Sequence, residues 1–140
     1  MADLLIIDDT PETCDLLARM FARHGHAASC LHDGGAAVAA LRSHHFDLVI
    51  LDVMMPGTDG FDVLTAVRGA PEATVRDTPV VLYSAISDPD VIQRGLSLGA
   101  DDWIIKGMPF PMMHKRVERF LGPTDADAAA TPAGFPPPDA

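Results

Sequence analysis

The sequence predicts a doubly wound α/β protein, in which five helices cover the two faces of a five-stranded parallel sheet. Short apolar runs alternate with amphipathic stretches whose apolar residues recur three or four positions apart. This alternation is typical of right-handed βαβ units, which build a parallel sheet between two helical layers. The runs at 47–52 and 79–84 are continuously apolar rather than alternating, which favours strands covered on both faces.

The predicted elements follow from these periods in chain order. Five strands are predicted at DLLIID (3–8), HAASCL (26–31), DLVILD (47–52), PVVLYS (79–84) and DDWIIK (101–106). Five helices are predicted from the apolar stripes within 16–21, 37–41, 61–67, 91–96 and 113–121. Thr10 before Pro11 marks a helix start, and Gly25 and Gly99 follow helix ends. The segment RGAPEATVRDTP (68–79) predicts an irregular loop.

Composition indicates one domain with a short tail. Of the 140 residues, 48% are hydrophobic and 21% charged, and we expect the domain to occupy 1–121. Residues 122–140 are rich in Pro, Ala and Asp and predict a disordered tail. The formal charge of -10, without a basic patch, argues against nucleic acid as a partner. No apolar stretch approaches the roughly 20 residues of a membrane span, and no secretory leader is visible, so we expect a cytoplasmic protein.

Polar side chains follow four of the predicted strands. Asp8 and Asp9 follow the first, Asp52 ends the third, Ser84 ends the fourth and Lys106 ends the fifth. The carboxyl ends of parallel strands meet at one edge of a sheet, where ligands bind. Taken singly, each residue has a plain alternative, such as a helix cap, a turn residue or a solvated charge.

Together, these groups predict phosphoryl chemistry. Three clustered carboxylates repel one another and favour a hard divalent cation with oxygen ligands, for which Mg²⁺ is the natural candidate and Mn²⁺ an alternative. A carboxylate beside such a cation, an ammonium and a hydroxyl is a candidate nucleophile that forms an acyl phosphate. Asp52 has this position, and a charge at the end of a buried strand requires such partners.

Four segments carry a family resemblance: IIDD, LDVMMPGTDGFD, VLYSA and GADDWIIK. Together they resemble the receiver domain of two-component response regulators, from residue 3 to about 121. The resemblance implies a doubly wound, flavodoxin-like receiver fold. It implies that Asp52 accepts the phosphoryl group, and that Asp8, Asp9, Asp52 and the backbone carbonyl of Met54 hold the metal.

The resemblance also implies a switch and partners. Ser84 would turn toward the phosphoryl group, Lys106 would supply its cation, and Trp103 has the aromatic switch position. A histidine kinase or phosphotransfer protein would donate the group. The resemblance implies a signalling phosphoacceptor rather than an enzyme. The receiver would catalyse only its own phosphorylation and dephosphorylation. We expect a stand-alone, chemotaxis-regulator-like protein that contacts a downstream protein through its fourth helix, fifth strand and fifth helix.

The sequence departs from the family pattern near Lys106. Gly107 and Met108 separate it from the proline that usually follows directly, so the typical cis peptide is not expected and the ammonium is predicted to be held less firmly. The bulk of Trp103 predicts a harder inward rotation than tyrosine or phenylalanine would have. In the family, the positions of Met54 and Ile86 influence the access of water to the acyl phosphate, so the resemblance and their apolar side chains imply slow hydrolysis.

Three hypotheses from different classes stay open. The first is a phosphorylation-driven switch or relay. The second is a receiver-like interaction module that works without phosphorylation. The departures at Lys106 and Trp103 motivate it, whereas the intact acidic, hydroxyl and lysine groups argue against it. The third is a small phosphatase with an aspartyl nucleophile, a class that usually has a second aspartate two positions later, where Met54 stands here.

Overall fold

The structure, a computed structural model, describes residues 2–121. The tail predicted at 122–140 lies outside the described residues. The strands are β1 (Asp3–Ile7), β2 (Ala27–Leu31), β3 (Leu48–Asp52), β4 (Met54–Met55), β5 (Thr58–Asp59), β6 (Val80–Ser84) and β7 (Asp102–Ile105). The α-helices are α1 (Pro11–Ala22), α2 (Ala37–Ser43), α3 (Gly60–Arg68), α4 (Ala73–Arg76), α5 (Pro89–Ser97) and α6 (Phe110–Leu121). A 3₁₀ turn at Gly34–Ala36 leads into α2.

The main sheet has five parallel strands in the order β2-β1-β3-β6-β7. The predicted fold class is therefore confirmed, and the chain reverses its winding direction between β1 and β3. A crevice opens beyond the carboxyl ends of these two strands, at the topological switch point. The five predicted strands all form, and the fourth helix, fifth strand and fifth helix of the prediction are α5, β7 and α6.

Two apolar layers hold the helices on the sheet. Successive side chains of β3 point to opposite faces, so Val49 and Leu51 pack on the side of α2, α3 and α5. Leu48 and Ile50 pack on the other side, against α1 and α6. All five residues of β3 are buried, as the continuous apolar run predicted. Burying one such side chain contributes about 1.5–3 kcal/mol, which makes β3 a stable base for the side chain that ends it.

Aspartates begin two of the helices near the carboxyl edge of the sheet. The side chain of Asp59 accepts a hydrogen bond from the Phe61 amide and begins α3. Asp88 does the same for the Asp90 amide before α5. A side-chain cap of this kind contributes about 1 kcal/mol, because it satisfies an amide that lacks a helical partner. The predicted helix stops at Gly25 and Gly99 are confirmed, with φ of 83° and 111°.

The five predicted helices form, but the prediction of an irregular loop over 68–79 was wrong, because this segment contains a sixth helix, α4. Val75 is fully buried and anchors this single turn to the core. The Arg68 guanidinium also donates to the carbonyls of Arg76 and Thr78, at 2.8 and 2.6 Å, and so ties the C-terminal end of the segment to the end of α3. The small hairpin of β4 and β5 was not predicted either. Within residues 2–121, no helix is long and apolar enough to cross a bilayer.

Candidate functional site

The predicted site residues come together at the carboxyl edge of the sheet. Asp8 directly follows β1, Asp52 ends β3, Ser84 ends β6 and Lys106 directly follows β7. These four strands are consecutive neighbours, so their ends converge without any long loop. Asp52 has an exposed fraction of only 4%, and Asp8 and Ser84 are buried as well.

Three carboxylates form the acidic part of the site. Oxygen atoms of Asp8, Asp9 and Asp52 all lie within 4.8 Å of one another. The Thr10 amide donates to Asp8 Oδ1 at 2.9 Å, and the Met54 amide donates to Asp52 Oδ1 at 3.2 Å. These bonds orient the carboxylates but leave oxygens available. An all-oxygen cluster of this size fits a hard divalent cation such as Mg²⁺.

Lys106 reaches the acidic cluster despite the two residues inserted after it. Its Nζ lies 3.4 Å from Asp8 Oδ2 and 3.4 Å from Asp52 Oδ2. Gly107 takes a φ of 98°, a left-handed conformation that suits glycine, and every peptide bond between residues 2 and 121 is trans. The altered loop therefore brings the ammonium to the two carboxylates without the family's usual proline geometry.

Burial dominates the electrostatics of Asp52. Removal from water raises the pKa of its carboxyl group, and the nearby charge of Asp8 raises it further. Lys106 and the Met54 amide act in the opposite direction without cancelling the increase. Burial would lower the pKa of Lys106, but Asp52 and Asp8 outweigh it and raise that pKa. Asp52 is thus a desolvated carboxylate whose negative charge is only partly balanced, as suits a nucleophile that requires further positive charge nearby.

Ser84 and Trp103 are linked through one loop residue. Ser84 Oγ accepts a hydrogen bond from the Ile86 amide at 3.1 Å. The Trp103 indole Nε1 donates to the Ile86 carbonyl at 3.2 Å. A movement of Ser84 would therefore reach Trp103 through the backbone of Ile86.

The indole of Trp103 already lies inside the protein, with an exposed fraction of 4%. At the point where the indole meets α5, the helix has no side chain. The predicted difficulty of an inward rotation of Trp103 on phosphorylation stays a prediction. A Cβ built on Gly95 would lie 3.0 Å from Trp103 Cζ3, and the same helix position faces Phe61 and Leu82. Gly95 thus leaves space for the indole, which could not be predicted from the identity of residue 103 alone.

Met54 lies in β4, with its amide donating to Asp52 and 67% of the residue exposed. The role of its carbonyl as a metal ligand stays a prediction. Two further residues that were not predicted as site residues lie near the cluster. His32 Nδ1 lies 3.0 Å from the backbone oxygen of Asp8. The Tyr83 ring centroid lies 5.3 Å from Lys106 Nζ. Tyr83 is the residue paired with Asp52 in the sheet, and that register is the signal from which its proximity follows.

The fold and the site together define a class: doubly wound α/β proteins with an acidic, lysine-containing cleft at the carboxyl edge of the sheet. The sequence model of the response regulator receiver domain matches residues 4–118. The chain belongs to the response regulator receiver family, in which phosphorylation and Mg²⁺ binding are typical and histidine kinases or phosphotransfer proteins are the usual partners.

Relatives and solved structures agree with this membership. The chain is 36% identical over 118 residues to the transcriptional activator protein IrlR of Burkholderia pseudomallei, covering 84% of this chain and 49% of that protein. It is 38% identical over 103 residues to the transcriptional regulatory protein TcrA of Mycobacterium tuberculosis, covering 74% and 39% respectively. The chain thus spans about half, or less, of the length of these curated relatives.

Among solved structures, the chain is similar to the chemotaxis response regulator CheY4 of Vibrio cholerae. The TM-score is 0.78 at 28% identity, over 86% of this chain and 99% of the other. The BeF₃-activated receiver domain of RstA from Klebsiella pneumoniae has a TM-score of 0.77 at 27% identity, over 86% and 98%.

Proposed function

We propose that this chain is a signalling phosphoacceptor that takes a phosphoryl group on Asp52. The observation that carries the proposal is the buried Asp52 carboxylate with the Lys106 ammonium 3.4 Å away and two further carboxylates beside it. This combination places a desolvated oxygen nucleophile beside a cation that can stabilise the negative charge of an incoming phosphoryl group.

The proposed step is a transfer from a phosphohistidine of a histidine kinase or phosphotransfer protein. An oxygen of Asp52 attacks phosphorus, the P–N bond breaks, and its electron pair stays on the imidazole nitrogen, which takes up a proton from solvent. Lys106 then pairs with a phosphoryl oxygen in place of the free carboxylate. Asp8, Asp9 and Asp52, with the backbone carbonyl of Met54, would hold Mg²⁺ or Mn²⁺, which when bound supplies positive charge to the phosphoryl oxygens.

The output of this switch is proposed to run through Ser84. If its hydroxyl turns toward the phosphoryl group, its bond with the Ile86 amide is given up, and the loop before α5 is released. This loop leads into α5 and accepts a hydrogen bond from Trp103 of β7 at the Ile86 carbonyl, and the surface of α5, β7 and α6 is the proposed site for a downstream protein. Catalysis of its own transfer, a cytoplasmic location and a stand-alone arrangement stay predictions. The curated relatives are named as transcriptional regulators, and that output is not assigned to this chain.

Phosphorylation by a small donor tests the proposal. Purified protein incubated with acetyl phosphate and Mg²⁺ is expected to gain the mass of one phosphoryl group, and removal of the divalent cation is expected to prevent the gain. Asp52→Asn should abolish it, whereas Asp62→Asn, an exposed aspartate in the first turn of α3, should label like the wild type. Equal labelling of Asp52→Asn and wild type would contradict the assignment of the acceptor.

A receiver-like module that works without phosphorylation is the second candidate. The specific observation in its favour is that Trp103 is buried, with its indole Nε1 donating a hydrogen bond to the Ile86 carbonyl. If a properly folded wild type gains no mass at any divalent cation concentration, this alternative replaces the first. The phosphatase hypothesis has less support, because Met54 offers no second carboxylate two positions after Asp52.

A further inference from the structure

The Lys106 ammonium has an aromatic neighbour in addition to its two carboxylates. The centroid of the Tyr83 ring lies 5.3 Å from Nζ, with the ammonium over the ring face. A cation in this position is attracted by the negative face of the ring. The ring comes from β6, between the strand that ends in Asp52 and the strand that leads to Lys106.

The sheet register explains why Tyr83 reaches this place. Tyr83 pairs with Asp52 on one side and with Ile104 on the other. Side chains alternate along a strand, and Ile50, Ile104 and Tyr83 belong to the layer against α1 and α6. Asp52 follows Ile50 by two residues and therefore points to the same face as Tyr83. The Tyr83 ring therefore lies on the same face as the Asp52 carboxylate, and the Lys106 ammonium lies over the ring.

We propose that Tyr83 is a positioning residue that holds the Lys106 ammonium over Asp52 for phosphoryl transfer. The inference rests on the proposed function of Asp52. It assigns to Tyr83 a role that acts through Lys106 and not through contact with the donor.

The chain after Lys106 does little to hold this side chain. The Lys106 amide donates to the Ser84 carbonyl at 2.8 Å, which fixes the backbone at that residue. Gly107 then turns with a φ of 98°, and a Cβ placed there would meet no atom of residues 2–121 within 4 Å. The side chain of Lys106 therefore depends on its own contacts for its position.

The carboxylate contacts of Lys106 are shared with the other tasks of the site. Asp8 and Asp52 belong to the acidic set that would hold a divalent cation, and Asp52 also becomes the phosphoryl acceptor. A bound divalent cation would compete with the ammonium for these carboxylates, and phosphorylation would replace the Asp52 carboxylate with a phosphoryl oxygen as its partner, so neither carboxylate contact stays constant. The Tyr83 ring binds no hard cation and keeps its face toward Lys106 throughout. Burial raises the pKa of Tyr83, although Lys106 opposes this, so its hydroxyl stays protonated at neutral pH.

The structural part of the proposal is tested by NMR without any phosphodonor. The chain has two lysines, Lys106 and Lys115, so ¹³C labelling of lysine gives two resolvable side chains and an internal reference. The Lys106 side chain should show a ring-current shift, with and without Mg²⁺. Tyr83→Phe should keep this shift because it keeps the ring face, and Tyr83→Leu should lose it. A shift that survives in Tyr83→Leu would overturn the proposal.

The functional part is tested by the rate of labelling with acetyl phosphate. Tyr83→Phe should label at the wild-type rate, and Tyr83→Leu should be slower by about 3- to 30-fold, the range of one cation–π contact. The loss should fall on the maximal rate rather than on the donor concentration at half-maximal rate, because Tyr83 does not contact the donor. Wild-type kinetics in Tyr83→Leu, or an equal loss in Tyr83→Phe, would overturn the proposed role.

A replacement variant and the independent NMR readout separate the possible failures. If Tyr83→Leu does not fold, Tyr83→Met fills the same space with a flexible apolar side chain and takes its place. If wild-type protein is not labelled at all, the proposed function fails, but the lysine resonances still decide whether Tyr83 holds Lys106. If the protein is labelled and the ring-current shift is absent, only the role of Tyr83 fails.

Discussion

Gly95→Ala is expected to destabilise the protein by crowding Trp103. The added methyl group would lie 2.7 Å from Leu82 Cδ1, 3.0 Å from Trp103 Cζ3 and 3.2 Å from Phe61 Cε1. All three side chains are buried, so the methyl group cannot be accommodated by a movement into solvent.

The magnitude follows from two opposing effects. Alanine is favoured over glycine within a helix by about 1 kcal/mol. Overpacking a buried site costs about 1–3 kcal/mol, and two contacts at or below 3.0 Å place this site in the upper part of that range. The expected net loss of unfolding free energy is about 1–2 kcal/mol, or a decrease in Tm of roughly 3–8 °C for a domain of this size.

Urea and thermal unfolding, followed by circular dichroism, measure this loss. Trp103 is the only tryptophan, so its emission reports separately on the indole. In the wild type without a phosphodonor the emission should be blue-shifted and poorly quenched by acrylamide. In Gly95→Ala it should shift to longer wavelength as the indole moves outward.

A second background supplies the control. In Trp103→Phe the smaller ring removes the Cζ3 contact, so Gly95→Ala should cost less there, by about 0.5–1 kcal/mol. The reasoning is refuted if Gly95→Ala stabilises the protein by the helical preference of alanine and leaves the Trp103 emission unchanged.

Two further predictions concern protonation. Burial raises the pKa of Asp52, so its ionised form lowers stability above that pKa, and metal-free Asp52→Asn should be more stable than wild type by roughly 1–2 kcal/mol at neutral pH. The difference should disappear as the pH falls to the ordinary range of aspartate, which urea denaturation in EDTA measures; an equal difference at all pH values would exclude this cause. The His114 ring stacks on His24 at 4.1 Å, and burial, helped by His24, lowers the pKa of His114. Wild type should therefore lose stability, by less than about 1 kcal/mol, as the pH falls below the ordinary histidine range, and His114→Phe should show a shallower loss in the same titration; parallel profiles would contradict this.

The sequence by itself determined the sheet and the positions of the site residues. Apolar runs, amphipathic stripes and stop signals such as Gly25 are local properties, and each predicted strand formed close to its expected bounds. Once the strands are parallel, their carboxyl ends meet, so Asp52 and Lys106 had to approach one another. The family motifs confirm the same residues but were not needed to bring these two strand ends together.

Only the tertiary structure decided how the side chains fit. The indole of Trp103 is accommodated by Gly95, a residue of another element, and the short helix α4 forms because Val75 finds a place in the core. Tyr83 reaches Lys106 through the sheet register, which brings together residues from three strands. Such contacts depend on distances across the fold rather than on spacing along the chain. Sequence periodicity reports the direction of a side chain, whereas the space that it fills is set by the elements packed against it.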